Sequence, residues 1–359
     1  MLLFWLCSVL GGAKRVNWNC KGEKTDFFLE DKMNSSSCIP PEKDLFENTV
    51  LPILYILFFP VGVVLNVWGM KSLLRKWKKL RGIDILVINL GVADMLYLLT
   101  LPFLMDYYLK ENIWNFGEAF CKITRFCFKV NLYCSIGFLT CISVYRYLAI
   151  VYPFEALRTL TVTNSAVISA MVWILVSAQS VPDMFFPKHP ENKTNQCYDT
   201  TDWDEVKDYL PYSLSVTFIG FCIPSGIIVG CYGHVTLVVC RSDTITKDVK
   251  QRILKLLVFL IIYFSFCFAP YHVFRNLNLY SRVLIKEDKC PPWNSGVFIA
   301  HQAGRGLVSL NSVLNPLVYF HVNEDMGEQF RQLLLRFRRM SSHFLPAFQL
   351  LFTVVSQAI

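Results

Sequence analysis

Seven long apolar stretches divide the chain, at roughly 50–74, 84–109, 118–151, 165–186, 207–240, 247–281 and 295–320. About 20 apolar residues in helical form cross the hydrocarbon layer of a bilayer, so each stretch is long enough to span, some with tilt. Pro60, Pro102, Pro224, Pro270 and Pro316 fall inside these stretches. Such prolines disrupt soluble helices, but membrane helices tolerate them because neighbouring groups re-satisfy the freed backbone. The pattern predicts an all-α membrane protein, a bundle of seven transmembrane helices.

The polar segments between the stretches give the orientation. Lys71, Arg75, Lys76, Lys78, Lys79 and Arg81 lie in the first connection. Arg241, Lys247, Lys250 and Arg252 lie in the fifth, and Arg331, Arg336, Arg338 and Arg339 follow the seventh stretch. These segments share one side, which the positive-inside rule makes cytoplasmic. The opposite loops carry the glycosylation sequon at Asn192 and the acids Asp199, Asp202, Asp204 and Glu205. Residues 1–49 therefore read as an extracellular tail, with a second sequon at Asn34. Within it, residues 1–13 fit a cleaved signal peptide and a plain tail equally well. Residues 50–320 form the transmembrane domain and 321–359 a cytoplasmic segment. From Glu324 to Phe337, basic and apolar residues alternate at helical spacing, which predicts an amphipathic helix on the inner lipid surface. The final apolar run, Phe344 to Ile359, is too short to span.

Composition agrees. Of the 359 residues, 54% are hydrophobic and 17% charged, too little charge to cover a soluble domain of this size. The net charge of +8 would suit a nucleic-acid-binding protein, but the basic residues are spread between apolar stretches rather than clustered on one surface. Among 13 cysteines, no pair or Cys/His group has metal-ligand spacing. Cys38, Cys121, Cys197 and Cys290 lie outside or at the edges of the stretches and are the disulfide candidates, which leaves Cys20 without an assigned role.

The candidate chemistry is a set of cations. Arg125, Lys129 and Tyr133 follow Cys121 at steps of four, so all four share one helix face. Phe268, His272 and Arg275 repeat the pattern in the sixth stretch, and His301, Arg305 and Ser309 in the seventh. Four embedded cations, Arg125, Lys129, Arg275 and Arg305, each cost about 2.5–3.5 kcal/mol at the bilayer centre, roughly 10 kcal/mol together. The outer helical ends offer few acids to offset them, chiefly Asp106, Asp183 and Asp199. A water-filled pocket for an anion explains the surplus; snorkelling of the side chains to headgroups is the alternative. No nucleophile–base pair or metal set points to an enzyme. No internal repeat supports a transporter or channel, the reading of a different class.

Landmark residues occur in order along the stretches. They are Gly62 and Asn66; Asn89-Leu-Gly-Val-Ala-Asp94; Cys121 and Tyr145-Arg146-Tyr147; Trp173; Pro224 and Tyr232; Phe264 to Pro270; and Asn315-Pro316-Leu-Val-Tyr319. In this register the chain resembles the rhodopsin-like G-protein-coupled receptors over about 270 residues. The resemblance implies a sodium ion and water beside Asp94, with Asn66, Asn311 and Asn315 as polar partners. It also implies a G-protein contact at Arg146, and activation switches at Asp94, Arg146, Tyr232, Phe268, Pro270, Asn315, Pro316 and Tyr319. Two positions depart from the family: Tyr145 and Lys250 stand where acids are usual, so its restraining ion pairs are missing.

The pocket stretches narrow the resemblance further. Cys121 to Tyr133, Cys197-Tyr-Asp199-Thr-Thr201, His272 to Asn278 and Arg305 to Asn311 are similar to the purinergic nucleotide receptors, especially the ADP-receptor type. Phe128 and Ser309 replace the residues that amine and retinal receptors need. The resemblance implies a nucleotide such as ADP or ATP, with phosphates on the cationic positions and Arg305 paired with Asp199. Tyr133, His272, Asn278, His301 and Ser309 would complete the pocket. The disulfides implied are Cys121–Cys197 and Cys38–Cys290, and the coupling implied is to the phospholipase-C-activating G proteins. A dicarboxylate such as succinate or 2-oxoglutarate is the alternative ligand.

Overall fold

The computed structural model describes residues 49–75, 77–188, 196–197, 201–242 and 246–322. Seven long helices account for most of them: α1 Leu51–Leu74, α2 Gly82–Leu109, α3 Glu118–Val151, α4 Val162–Met184, α5 Val206–Arg241, α6 Lys247–Lys286 and α7 Asn294–Val322. There is no strand among the described residues. The first six are each long and apolar enough to cross a membrane. The seventh carries His301, Gln302, Arg305, Asn311 and Asn315, and it packs against α6, α1 and α2.

The prolines act where expected. In α2 the helix breaks at Leu99–Thr100 and restarts at Leu101 with Pro102 in its first turn, because Pro102 has no N–H to continue the backbone ladder but is accommodated at a helix start. In α5 a π-helical turn spans Phe218–Cys222, two residues ahead of Pro224, whose missing N–H interrupts the regular ladder. Pro60, Pro270 and Pro316 lie inside continuous helices.

The bundle is apolar outside and polar within. Ile53, Leu57 and Val64 on α1, Met171 and Ile174 on α4, and Val258 and Ile262 on α6 are exposed. Asn66, Asp94, Asn131, Ser135, Ser312 and Asn315 are buried. That inversion suits a hydrocarbon solvent, where exposed apolar faces are free of cost and polar groups must pair inside.

Small residues set the closest approaches. A Cβ on Gly304 of α7 would sit 2.8 Å from Tyr271 Cα and 2.9 Å from its backbone nitrogen. Only glycine lets α7 meet the backbone of α6 there. The predicted helix at 324–337, both sequons and the tail 1–48 lie outside the described residues.

Candidate functional site

The α3 stripe forms as its spacing predicts. Cys121, Arg125, Lys129 and Tyr133 are all buried. Cys121 bonds to Cys197 across 76 residues and pins the loop between α4 and α5 over the end of α3. Arg125 Nη2 then donates to the Cys197 carbonyl at 2.7 Å. Cys290 is also disulfide-bonded; Cys38, its expected partner, lies outside the described residues.

Lys129 lies at the centre of a second cluster. Its ammonium donates to Asp183 Oδ1 and, at 2.8 Å, to the Tyr209 hydroxyl. Tyr209 donates to Asp183 Oδ1 at 2.6 Å and accepts from Arg275 Nη2 at 2.9 Å. Lys188 reaches Asp183 Oδ2 at 2.9 Å from the loop after α4. Burial pushes the Lys188 ammonium below the ordinary lysine range, and Asp183 opposes that shift. The Tyr209 ring faces Lys129, Lys188 and Arg275 at 5.2–5.7 Å, within cation–π range.

The third group joins α6, α7 and α2. Arg305 Nη1 donates to Tyr108 Oη at 2.7 Å and Gln302 Oε1 at 2.9 Å. Ser309, one turn on, donates to the Arg305 carbonyl and shares a 2.6 Å hydrogen bond with Tyr97. Asn278 and His301 approach to 3.5 Å across α6 and α7. His272 Nδ1 lies 2.9 Å from the Phe268 carbonyl, and its ring stacks on Phe221 at 4.3 Å between centroids.

The four predicted cations are therefore brought to one end of the bundle, none more than 2% exposed. Snorkelling requires heads at the lipid surface, so burial excludes it. Lys188 raises the count to five, while Asp183 and Asp202 are the buried carboxylates described at this end. Asp106 pairs instead with Lys110 at the surface, and Asp199 lies outside the described residues. Arg275 Nε and Nη1 and Arg125 Nε have no hydrogen-bond partner among the described residues. A buried guanidinium with idle N–H groups is a strong donor for phosphate or carboxylate oxygens.

Sequence reasoning missed Lys188, Tyr209, Tyr108 and Gln302. Gln302 lies one position beyond His301, and Tyr209 starts the fifth stretch, so both were open to a wider reading of the helix faces. Nothing in the sequence places Lys188 beside Asp183, because the loop path decides it.

A separate polar cluster lies deeper. Asp94 accepts from Asn131 at 2.9 Å and from Asn315 at 3.0 Å, and Ser312 donates to Asn131. Asn315 is the expected partner and Asn131 an unexpected one. The Asn66 amide instead donates to the Gly62 and Ser312 carbonyls, and Asn311 accepts from Tyr263. At the other end of the bundle, Arg146 is half-buried, and both Nη atoms are buried without a hydrogen-bond partner among the described residues. Tyr145 pairs with Ser165 at 2.9 Å, and Tyr232 accepts from Ser143 at 2.7 Å. The backbone of Tyr319 continues α7.

The chain matches the family described as 7 transmembrane receptor (rhodopsin family) over residues 46–319. It is 38% identical to purinoceptor 1 of Meleagris gallopavo over 314 residues, 86% of this chain and 85% of that one. Purinoceptor 1 of Homo sapiens is 37% identical over 302 residues, 83% of this chain and 79% of its own. Purinoceptor 4 of Xenopus laevis is 37% identical over 304 residues, 83% of this chain and 55% of its own. With the seven-helix bundle and its disulfide-capped cationic end, these matches identify a multi-pass plasma-membrane protein that is not an enzyme: the chain belongs to the rhodopsin-family seven-transmembrane receptors and, within them, to the family of these purinoceptors.

Proposed function

We propose that the chain is a G-protein-coupled receptor for an extracellular nucleotide, ADP or ATP, with its N-terminus outside and its C-terminus in the cytoplasm. One observation carries the ligand class: five cations are buried at one end of the bundle, where only two buried carboxylates, Asp183 and Asp202, are found among the described residues. Phosphates meet Arg125, Arg275 and Arg305, and Lys129, Tyr133, Asp199, His272, Asn278, His301 and Ser309 complete the pocket. The names of the relatives support the purine reading. Polyphosphate favours arginine because its planar fork binds two oxygens at once.

Signalling follows from differential affinity. A ligand shifts the receptor toward its active form only as far as it binds that form better. His272 and Arg275 lie on α6 beyond Pro270, so ligand contacts bias the helix about that proline. Opening at the other end exposes Arg146 to a G protein of the phospholipase-C-activating class, with Tyr232, Phe268, Asn315, Pro316 and Tyr319 as the moving parts. The Asp94 carboxylate, with the Ser135 hydroxyl near by, suits a hard monovalent cation such as sodium, which would take over oxygens that now accept from the Asn131 and Asn315 amides. Asp94 has no ion-pair partner among the described residues, so that cation would balance a buried carboxylate.

The test is a calcium reporter in cells, with ADP, ATP, UDP, succinate and 2-oxoglutarate applied to wild type and Arg305→Ala. A response to ADP or ATP that is lost in the variant supports the reading. A response to the dicarboxylates alone reassigns the ligand.

A further inference from the structure

Asp183 has no role in the binding scheme so far. It is fully buried at the end of α4 and faces the same donors that phosphate needs. Its two oxygens hold the ammonium groups of Lys129 and Lys188, and Oδ1 also accepts from Tyr209. Tyr209 in turn holds Arg275 through its hydroxyl. One carboxylate thus engages three groups directly and a fourth through one hydroxyl. Two ammonium groups on one carboxylate leave a net positive charge, so the cluster is under-neutralised even when fully paired. The Tyr212 ring lies against Lys129 at 5.2 Å from its centroid and adds no charge.

We propose that Asp183 is an internal competitor for the anion: its carboxylate occupies the phosphate-binding donors Lys129 and Lys188 in the ligand-free receptor, and an incoming phosphate takes them over. This rests on the nucleotide reading above and adds Lys188 to the ligand-binding set. A phosphate group carries more charge and more acceptor oxygens than a carboxylate, so it satisfies both lysines and the idle N–H groups of Arg275 together. The displaced carboxylate keeps the Tyr209 hydroxyl. Binding therefore works against a pre-formed ion pair, and sensitivity to ligand is set below what the cations alone would give.

The experiment is a dose–response series for ADP and ATP on the full-length receptor, with surface level matched by an epitope tag. Variants are Asp183→Asn, Lys188→Gln and the double variant. Removing the competitor lowers the EC50 on the order of tenfold, as expected for one hydrogen-bonded charge contact. Lys188→Gln raises the EC50, since a phosphate donor is lost. If Asp183→Asn alone does not reach the surface, the comparison is made within the Lys188→Gln background, where fewer cations are stranded; there the second change again lowers the EC50. A purely structural ion pair predicts the opposite sign, so an unchanged or raised EC50 on losing Asp183, in a receptor that answers nucleotides, overturns the competitor and leaves the nucleotide reading intact. Wild-type silence toward both nucleotides overturns the ligand reading and the competitor with it.

Discussion

Tyr209→Phe isolates one hydroxyl in a charged environment. The ring, its volume and its contacts with Lys129, Lys188 and Arg275 stay in place. Three hydrogen bonds disappear, to Lys129, Asp183 and Arg275. Lys129 and Asp183 keep one another, so most of their loss is recovered. Arg275 does not recover: Nε and Nη1 already lack partners, and Nη2 loses its bond to Tyr209. A hydrogen bond to a charged group is worth about 1.5–3 kcal/mol net. The ligand-free receptor should lose about 1.5–3 kcal/mol, which lowers Tm by a few degrees, since the shift of about 2–4 °C per kcal/mol seen at roughly 150–250 residues shrinks in a longer chain. The assay is thermal unfolding of purified receptor in nanodiscs, with and without saturating ADP. A bound phosphate supplies Arg275 with new acceptors, so the ligand-induced rise in Tm should be larger in the variant than in wild type. A ligand-free Tm within about 1 °C of wild type would refute the reasoning, and so would a ligand-induced rise no larger than that of wild type.

Gly304→Ala should separate α6 from α7, because its Cβ meets the Tyr271 backbone rather than a side chain that can turn away. Overpacking of about 1–3 kcal/mol outweighs a helix-propensity gain of at most ~1 kcal/mol, so Tm falls; Gly226→Ala in α5, with open space around it, is the control and should not lower Tm. Cys121→Ala releases a 76-residue closure worth about 4.5 kcal/mol on the chain-entropy model, and it frees the Cys197 carbonyl that Arg125 holds. Surface expression and ADP binding should both fall steeply, and a variant with normal binding would count against the capped-loop geometry. Replacing choline chloride with sodium chloride at equal ionic strength should raise the Tm of the wild type and leave Asp94→Asn unmoved. An equal response in both would remove sodium from the Asp94 cluster.

The helices were legible because their signal is local. Bilayer thickness sets a length that the apolar stretches match, and prolines mark the break in α2 and the π turn in α5. The α3 stripe was legible for the same reason: residues four apart on one helix share a face whatever surrounds it. Partners across helices were not. Asn66, Asn311 and Asn315 all have the chemistry to meet Asp94, yet the rotation of each helix gives the bonds to Asn315 and Asn131 and sends Asn311 to Tyr263. Charge balance was half legible. The excess of cations could be counted from sequence, but Lys188 enters the count only because its side chain turns inward onto Asp183.

The arrangement of α6 and α7 suggests why anion binding can be felt at the far end of the bundle. Arg275 and Arg305 project from neighbouring helices that touch backbone to backbone at Gly304 and Tyr271. Beyond Arg305, Ser309 is tied to Tyr97 of α2, and Asn315 to Asp94 of the same helix. Beyond Arg275 toward the other end come His272, stacked on Phe221 of α5, and then Pro270 and Phe268. A ligand that draws the two arginines together therefore loads two helices that already meet backbone to backbone at Gly304. Each is anchored deeper in the bundle to a different neighbour. Contact alone is not coupling; that requires an element with two arrangements whose balance both ends bias. The pivot of α6 about Pro270 proposed above would be that element; at its base Lys250 meets the Cys240 carbonyl of α5 rather than an acid. Loss of the Gly304 contact should therefore weaken agonist efficacy more than agonist affinity.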